Sequence, residues 1–185
     1  AGIDLSGSIF TSAQISRVAF TNSVLVGTNF TKATGAVPVF VGADLTNADF
    51  SEAVINNADF STATLTNSNF TDSTMEYGTF VSATIKDATL INAGLRGGVF
   101  TSANLVNSNL KDSNLYQAKL DYASLNNVIL NGADLRAVTL YKANLYYAEL
   151  DDVELNNSNL SESDLSFAKL RRSNLTNANL FKATL

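Results

Sequence analysis

Large apolar residues recur at every fifth position of this chain. From Leu5 to Leu185 each such position is Leu, Phe, Ile or Met, with Gly35 the one exception and no insertion breaking the count. Residues 103–115 show the unit plainly: Ala-Asn-Leu-Val-Asn, Ser-Asn-Leu-Lys-Asp, Ser-Asn-Leu. Two residues before each centre stands Ala, Ser or Gly in thirty of thirty-seven cases. Five residues turn an α-helix by about 500°, so the centres would scatter around it rather than form a stripe. Five is odd, so in one flat strand they would alternate between faces. A coil that turns a corner every five residues points them all inward and stacks on its neighbours, as solenoids do. A small residue near each corner then leaves room for the neighbouring Leu or Phe.

Several repeats carry a recognisable signature: Ala43-Asp44-Leu45, Ala48-Asp49-Phe50, Ala103-Asn104-Leu105, Ala133-Asp134-Leu135, Ala143-Asn144-Leu145 and Ala178-Asn179-Leu180. The chain resembles the pentapeptide-repeat proteins, whose pattern is A(D/N)LXX, over essentially its whole length. That resemblance implies an all-β fold, a right-handed quadrilateral parallel β-helix with four pentapeptides, or 20 residues, per coil. Residues 1–185 would form one such domain of about nine coils. At the inter-strand spacing of ~4.8 Å the rod would be roughly 45 Å long.

Along the chain, residues 1–42 fit the pattern least. Ile3, Val18, Thr28 and Pro38 occupy slots that favour Ala or Ser, and Gly35 leaves a core centre without a side chain. Proline cannot donate a ladder hydrogen bond. An irregular coil, a bulge or distorted corner, is therefore expected at residues 34–39, its valines covering the core or lying in a contact. The repeats from 43 to 185 are regular. Phe50, Phe60, Phe70, Phe80 and Phe100 fall ten or twenty apart, which places Phe on two opposite faces meeting across the axis. Beyond 100 every centre is Leu, and the core is expected to repack there. The chain lacks an initiator Met and ends in register at Leu185. It reads as a fragment or processed form, with end-to-end self-association or continuation into a longer chain covering the open end.

Composition narrows the chemistry. Hydrophobic residues make up 45%, ample for a core, and the formal charge is −5 with scattered cations. No basic footprint for nucleic acid is present, and no apolar run reaches the ~18 residues of a membrane span. No direct nucleic-acid or membrane contact is expected, and no targeting segment marks a compartment. The sequence contains neither His nor Cys, which excludes Ser-His-Asp and Cys-His nucleophilic arrangements and the usual zinc ligand sets. The one dense carboxylate group is Glu149, Asp151, Asp152 and Glu154. It could pair as acid and base or hold Ca²⁺. Adding 20, however, sets Glu149 against Lys169, Asp151 against Arg171 and Asp152 against Arg172, and it aligns Lys142, Glu162 and Lys182. The better reading is a ladder of cross-strand charge pairs. Asn and Asp before the centres suit corners, where their side chains bond nearby backbone. Gly98 in Gly94-Leu95-Arg96-Gly97-Gly98 fills a small-residue slot and makes no phosphate loop.

Tyr116, Tyr122, Tyr141, Tyr146, Tyr147, Phe167 and Phe181 all lie off the core centres. Tyr147 and Phe167 are one coil apart with Tyr146 beside them, while Tyr122, Tyr141 and Phe181 share the preceding face. Clustered Tyr and Phe suit an interface or a stabilising ladder. The functional expectation is a non-catalytic scaffold, with no enzyme activity and no cofactor, that binds an unknown protein partner or spaces the domains of a longer protein. Tyr122, Tyr141, Tyr146, Tyr147, Phe167 and Phe181 are the candidate contact residues. Many members of the resembled family, often cyanobacterial, have no assigned activity. The alternative is a DNA-mimicking, gyrase-binding protein of the quinolone-resistance type, as the resemblance also implies. A duplex of ~45 Å carries roughly 26 charges, far more than this chain. A carboxylate-based metal or enzymatic site is a remote third.

Overall fold

The structure, a computed structural model, describes residues 2–185. Every fifth residue from Gly7 to Lys182 has a left-handed backbone, with φ between 54° and 74°. Each sits third in a four-residue corner, and nearly every corner is closed by a hydrogen bond such as Ser8 N–H to the Leu5 carbonyl, at 3.0 Å. A closed corner with positive φ at its third residue is a type II turn. Asn and Asp tolerate this region best among non-glycine residues. They occupy thirteen of the corners, among them Asn22, Asn47, Asp72 and Asn107.

The short sides between corners stack in register. Parallel β-bridges join each residue preceding a centre to the one twenty later, unbroken from Asp4–Val24 to Asp164–Thr184. Three hydrogen bonds per side link successive coils. The centre and the left-handed residue donate forward (Leu5 to Val24, Gly7 to Val26), and the residue before the centre donates back (Val24 to Ile3). Four such columns make the quadrilateral β-helix, and the same register holds on both sides of residue 42. Corner carboxylates and amides before the centres act as expected: the Asp44 Oδ1 accepts both the Thr46 N–H, at 3.1 Å, and the Thr46 hydroxyl, at 2.6 Å.

The centres fill the axis. From Leu25 to Leu165 they are almost wholly buried, apart from Gly35. Phe side chains form two stacks on opposite faces, longer than the regular segment alone suggests. One runs through Phe10, Phe30, Phe50 and Phe70, the other through Phe20, Phe40, Phe60, Phe80 and Phe100. Rings within a stack are parallel at 4.5–5.0 Å, which is the coil spacing itself. Between stacks they meet edge-on at 5.6–5.9 Å, the geometry aromatic quadrupoles favour. The small slot is tight beside some Phe centres and roomier beside some Leu centres. Gly98 stands beside Phe100, whose ring would lie 2.8 Å from an added Cβ. In the all-Leu part the slot admits Val128, Val138 and Val153, all buried. The centre does not set the slot alone, since Thr28 and Pro38 are buried beside Phe30 and Phe40, and the coil register is the same in both parts.

The irregularity expected at 34–39 is a single unclosed corner. Pro38 has no N–H to donate to the Gly35 carbonyl, yet Val37 keeps φ at 59° and the bridges Thr34–Val54 and Val39–Asp59 are intact. No bulge forms there. Nor does Gly35 leave a vacancy to fill: an added Cβ would lie 2.6 Å from the Ser16 nitrogen and 2.8 Å from the Ile15 carbonyl carbon of the preceding coil.

Two outcomes follow. Phe60 is sandwiched between Phe40 and Phe80, and its truncation should leave a cavity. Phe60→Ala is expected to cost about 3–5 kcal/mol in guanidinium unfolding. Val37 is a β-branched residue held in the left-handed region, where such residues are strained. Val37→Asn should stabilise by about 1 kcal/mol, raising the thermal midpoint; an unchanged or lowered midpoint would show the corner to be unstrained.

Candidate interaction surface

The carboxylate cluster resolves into columns. Lys169 reaches Glu149 at 2.7 Å, Arg172 holds Asp152 through two bonds of 2.6 Å, and Arg171 grips the nearly covered Asp151 through its Nε, Nη2 and backbone N–H. The fourth acid, Glu154, accepts from Asn174 at 2.8 Å. Hydrogen bonds from Lys169, Arg171 and Arg172 are the first cause holding Glu149, Asp151 and Asp152 below the usual carboxylate range. Carboxylates committed this way are poor metal ligands, and among the described residues no three acids are grouped to hold a cation. The other column is only half as read. Lys142 pairs with Glu162 at 3.4 Å, whereas Lys182 lies over the Phe181 ring at 5.2 Å and makes no ion pair with Glu162.

Five of the C-terminal surface aromatics form two clusters. Tyr147 and Phe167 stack at 4.9 Å, with Tyr146 edge-on to both at 4.4 and 5.4 Å. Tyr122 and Tyr141 form an edge-on pair at 5.5 Å on the preceding corner. Phe181 is two coils beyond Tyr141, with Ser161 between, and joins neither group. These rings stay open to solvent: Phe167 is 65% exposed, Phe181 64%, Tyr122 52% and Tyr147 49%. Tyr146 and Tyr141 are half-buried. Tyr116 lies elsewhere, between Arg96 and Arg136, each about one coil away at 5.5 and 5.4 Å. That sandwich was not anticipated, although residues 96, 116 and 136 are spaced by twenty and the pattern was there to read. Below Tyr147 its column continues as amides, Asn127 donating to Asn107 at 3.1 Å and Asn107 to Asp87 at 2.9 Å. No cavity opens among the described residues.

Family models match nearly all of this architecture. A pentapeptide repeat region covers residues 13–90, and pentapeptide repeats (8 copies) cover 83–121, 118–157 and 158–185. The chain belongs to the pentapeptide-repeat family. Among solved structures, this pentapeptide-repeat chain is similar to HetL of the cyanobacterium Nostoc sp. strain PCC 7120, a protein involved in heterocyst differentiation regulation. That match has 24% identity and a TM-score of 0.58, over 100% of this chain and 90% of HetL. QnrB1, a plasmid-mediated fluoroquinolone resistance protein, matches at 16% identity with a TM-score of 0.50, over 97% of this chain and 90% of its own. A pentapeptide repeat protein of the Arabidopsis thaliana thylakoid lumen is 37% identical over 52% of this chain and 70% of its own, with a TM-score of 0.42. Among curated proteins no sequence matches significantly.

In this pentapeptide-repeat chain, charge is sorted by coil at the aromatic surface. Residues 146–165 carry six acids and no Lys or Arg, whereas residues 166–185 carry Lys169, Arg171, Arg172 and Lys182 and no acid. The depressed carboxylates contribute stability that is complete above the ordinary carboxylate range. It is lost as pH falls through their lowered folded values. The Arg171→Ala, Arg172→Ala double variant should therefore melt modestly below wild type at neutral pH. The two should converge in strong acid, where the pairs are protonated apart. Thermal midpoints recorded across that range check it, and parallel curves would show that the pairs do not stabilise the fold.

Proposed function

We propose that this chain is a non-catalytic rod that binds a protein partner through the exposed aromatic surface of its C-terminal coils. The observation that carries this reading is the open trio Tyr146, Tyr147 and Phe167, with Tyr122 and Tyr141 on the adjoining corner. Rings that only braced the fold could lie in the core, as Phe10 to Phe100 do. Rings kept at the surface in contact with one another offer rigid apolar area at low entropic cost, the property that enriches them in interface centres. The family is typically non-enzymatic, and a chain without His or Cys whose densest acids are each engaged agrees with that.

The charge does not favour a DNA-mimicking mode. A mimic needs a long anionic face, whereas residues 166–185 are cationic and the acids beneath them are neutralised in pairs. The test is affinity capture from a lysate of the source organism, read by mass spectrometry. Wild type would be run beside a chain with Tyr146, Tyr147 and Phe167 changed to Ser, its fold checked by circular dichroism. A protein retained by wild type and lost by the folded variant is expected. Equal capture by both would reduce the aromatic surface to a ladder and leave the rod a spacer. Recovery of gyrase through acidic residues instead would move the mimic reading to first place.

A further inference from the structure

We propose that Asn131 is a modification site gated by the fold: its side-chain amide survives while coil 146–165 is packed on it and is lost by deamidation when that coil lifts. Asn131-Gly132 is the one Asn-Gly pair in the chain. In such a pair the second backbone nitrogen can attack the side-chain carbonyl before it, because no Cβ stands in the way. The Gly132 nitrogen bonds to Asn131 Cγ and closes an imide ring. The side-chain nitrogen leaves as ammonia and takes up the Gly132 amide proton. Water then opens the ring. Cleavage at Cγ leaves aspartate, whereas cleavage at the main-chain carbonyl leaves isoaspartate, with the backbone running through the former side chain. Glycine at 132 is imposed by the corner: its φ is 74°, and the Asp112 side chain lies where any Cβ would stand. Corners such as Asn126-Asn127 and Asn156-Asn157 instead follow Asn with a residue that bears a side chain.

Both reacting groups are held by the same coil. The Gly132 N–H donates to the Asp151 carbonyl at 3.0 Å, so the nucleophile is engaged. Asn131 Oδ1 accepts the Asp151 N–H at 2.9 Å, and its Nδ2 donates to Glu149 Oε2 at 3.3 Å, so the amide is fixed at both ends. Lys169 in turn holds Glu149 at 2.7 Å. The corner itself is closed by the Ala133 N–H on the Leu130 carbonyl, at 2.9 Å. A type II corner sets ψ of its second residue at about 120°, and ring closure requires rotation out of that position. Every restraint on the reacting atoms except the corner bond comes from residues 146–165. The reaction therefore waits for that coil to separate, and repeat arrays open in contiguous units of this kind. The product does not fit back. Aspartate at 131 has no N–H for Glu149 and sets a second carboxylate beside it. Isoaspartate adds a carbon to the main chain inside a corner and breaks the count between Leu130 and Leu135. On the reading above, the coil so released is the one that carries Tyr146 and Tyr147, which makes that surface perishable.

Conversion at Asn131 is followed by peptide mapping and mass spectrometry on the intact chain at mildly alkaline pH. In denaturant the residue should convert, and in the folded chain it should convert at least about tenfold more slowly, because the rate follows the open population. Urea below the global transition should already raise the rate. Leu150 fills the core of the gating coil and Leu45 that of a distant one. Leu150→Ala should therefore accelerate conversion, and Leu45→Ala should leave it near wild type; the urea series decides the matter if either variant fails to fold. Isolated isoaspartate product should melt below the unmodified chain. Conversion of the folded chain at the denatured rate overturns the gate. So does equal acceleration by the two substitutions, or a rate that rises only as the whole chain unfolds. An Asn131 that stays an amide in denaturant overturns the site, and a product that melts with the unmodified chain overturns the one-way step. None of these outcomes bears on whether a protein binds the aromatic surface.

Discussion

The left-handed corner is the constraint on which this structure depends. Thirty-one non-glycine residues adopt it, and for an L-residue that conformation costs about 1–2 kcal/mol. Nothing local repays such a sum. The repayment comes from repetition: turning after every fifth residue brings all the large side chains to one axis and lets each side hydrogen-bond to the next coil. The strained residue participates directly, its N–H donating to the coil ahead. A single coil in isolation would carry the strain with no neighbour to bond and no axis to fill, so stability belongs to the stack.

The core meets this constraint in two ways. Where the centres are Phe, ring thickness matches the coil rise, and two parallel stacks interlock edge to face. Where they are Leu, the slot two residues earlier can take Val. The same square section is filled by either combination, and the corners stay where they are. Pro38 shows how much redundancy this provides: a corner missing its closing bond holds its place because the bridges at Thr34 and Val39 fix both flanks.

Much of the architecture was legible because it is written in spacing. The period of five gave the inward centres, and the addition of twenty gave the pairs of Glu149, Asp151 and Asp152 with their cations as well as the stack of Tyr147 on Phe167. What spacing alone did not give is where a side chain turns once it has a choice. Lys182 could reach Glu162 or the Phe181 ring and takes the ring. Phe181 sits in the right column but two coils from Tyr141, beyond contact. Gly35 looked like a hole because side-chain volume was counted and backbone approach was not. The Arg96–Tyr116–Arg136 sandwich is hidden for a different reason: the face of a phenol ring bears no formal charge, so no pairing of opposite signs reveals it.

The uninterrupted count has a consequence for how such a rod can change length. Adding one residue would throw every later side chain off its wall. Adding five would preserve the core and rotate everything downstream by a quarter turn, swinging the Tyr147–Phe167 column onto a neighbouring wall. Only a gain or loss of twenty lengthens or shortens the molecule and leaves each wall's lettering aligned. Surface patterns on this protein can thus be moved along the axis in whole coils and around it in quarter turns, like symbols on the rings of a combination lock.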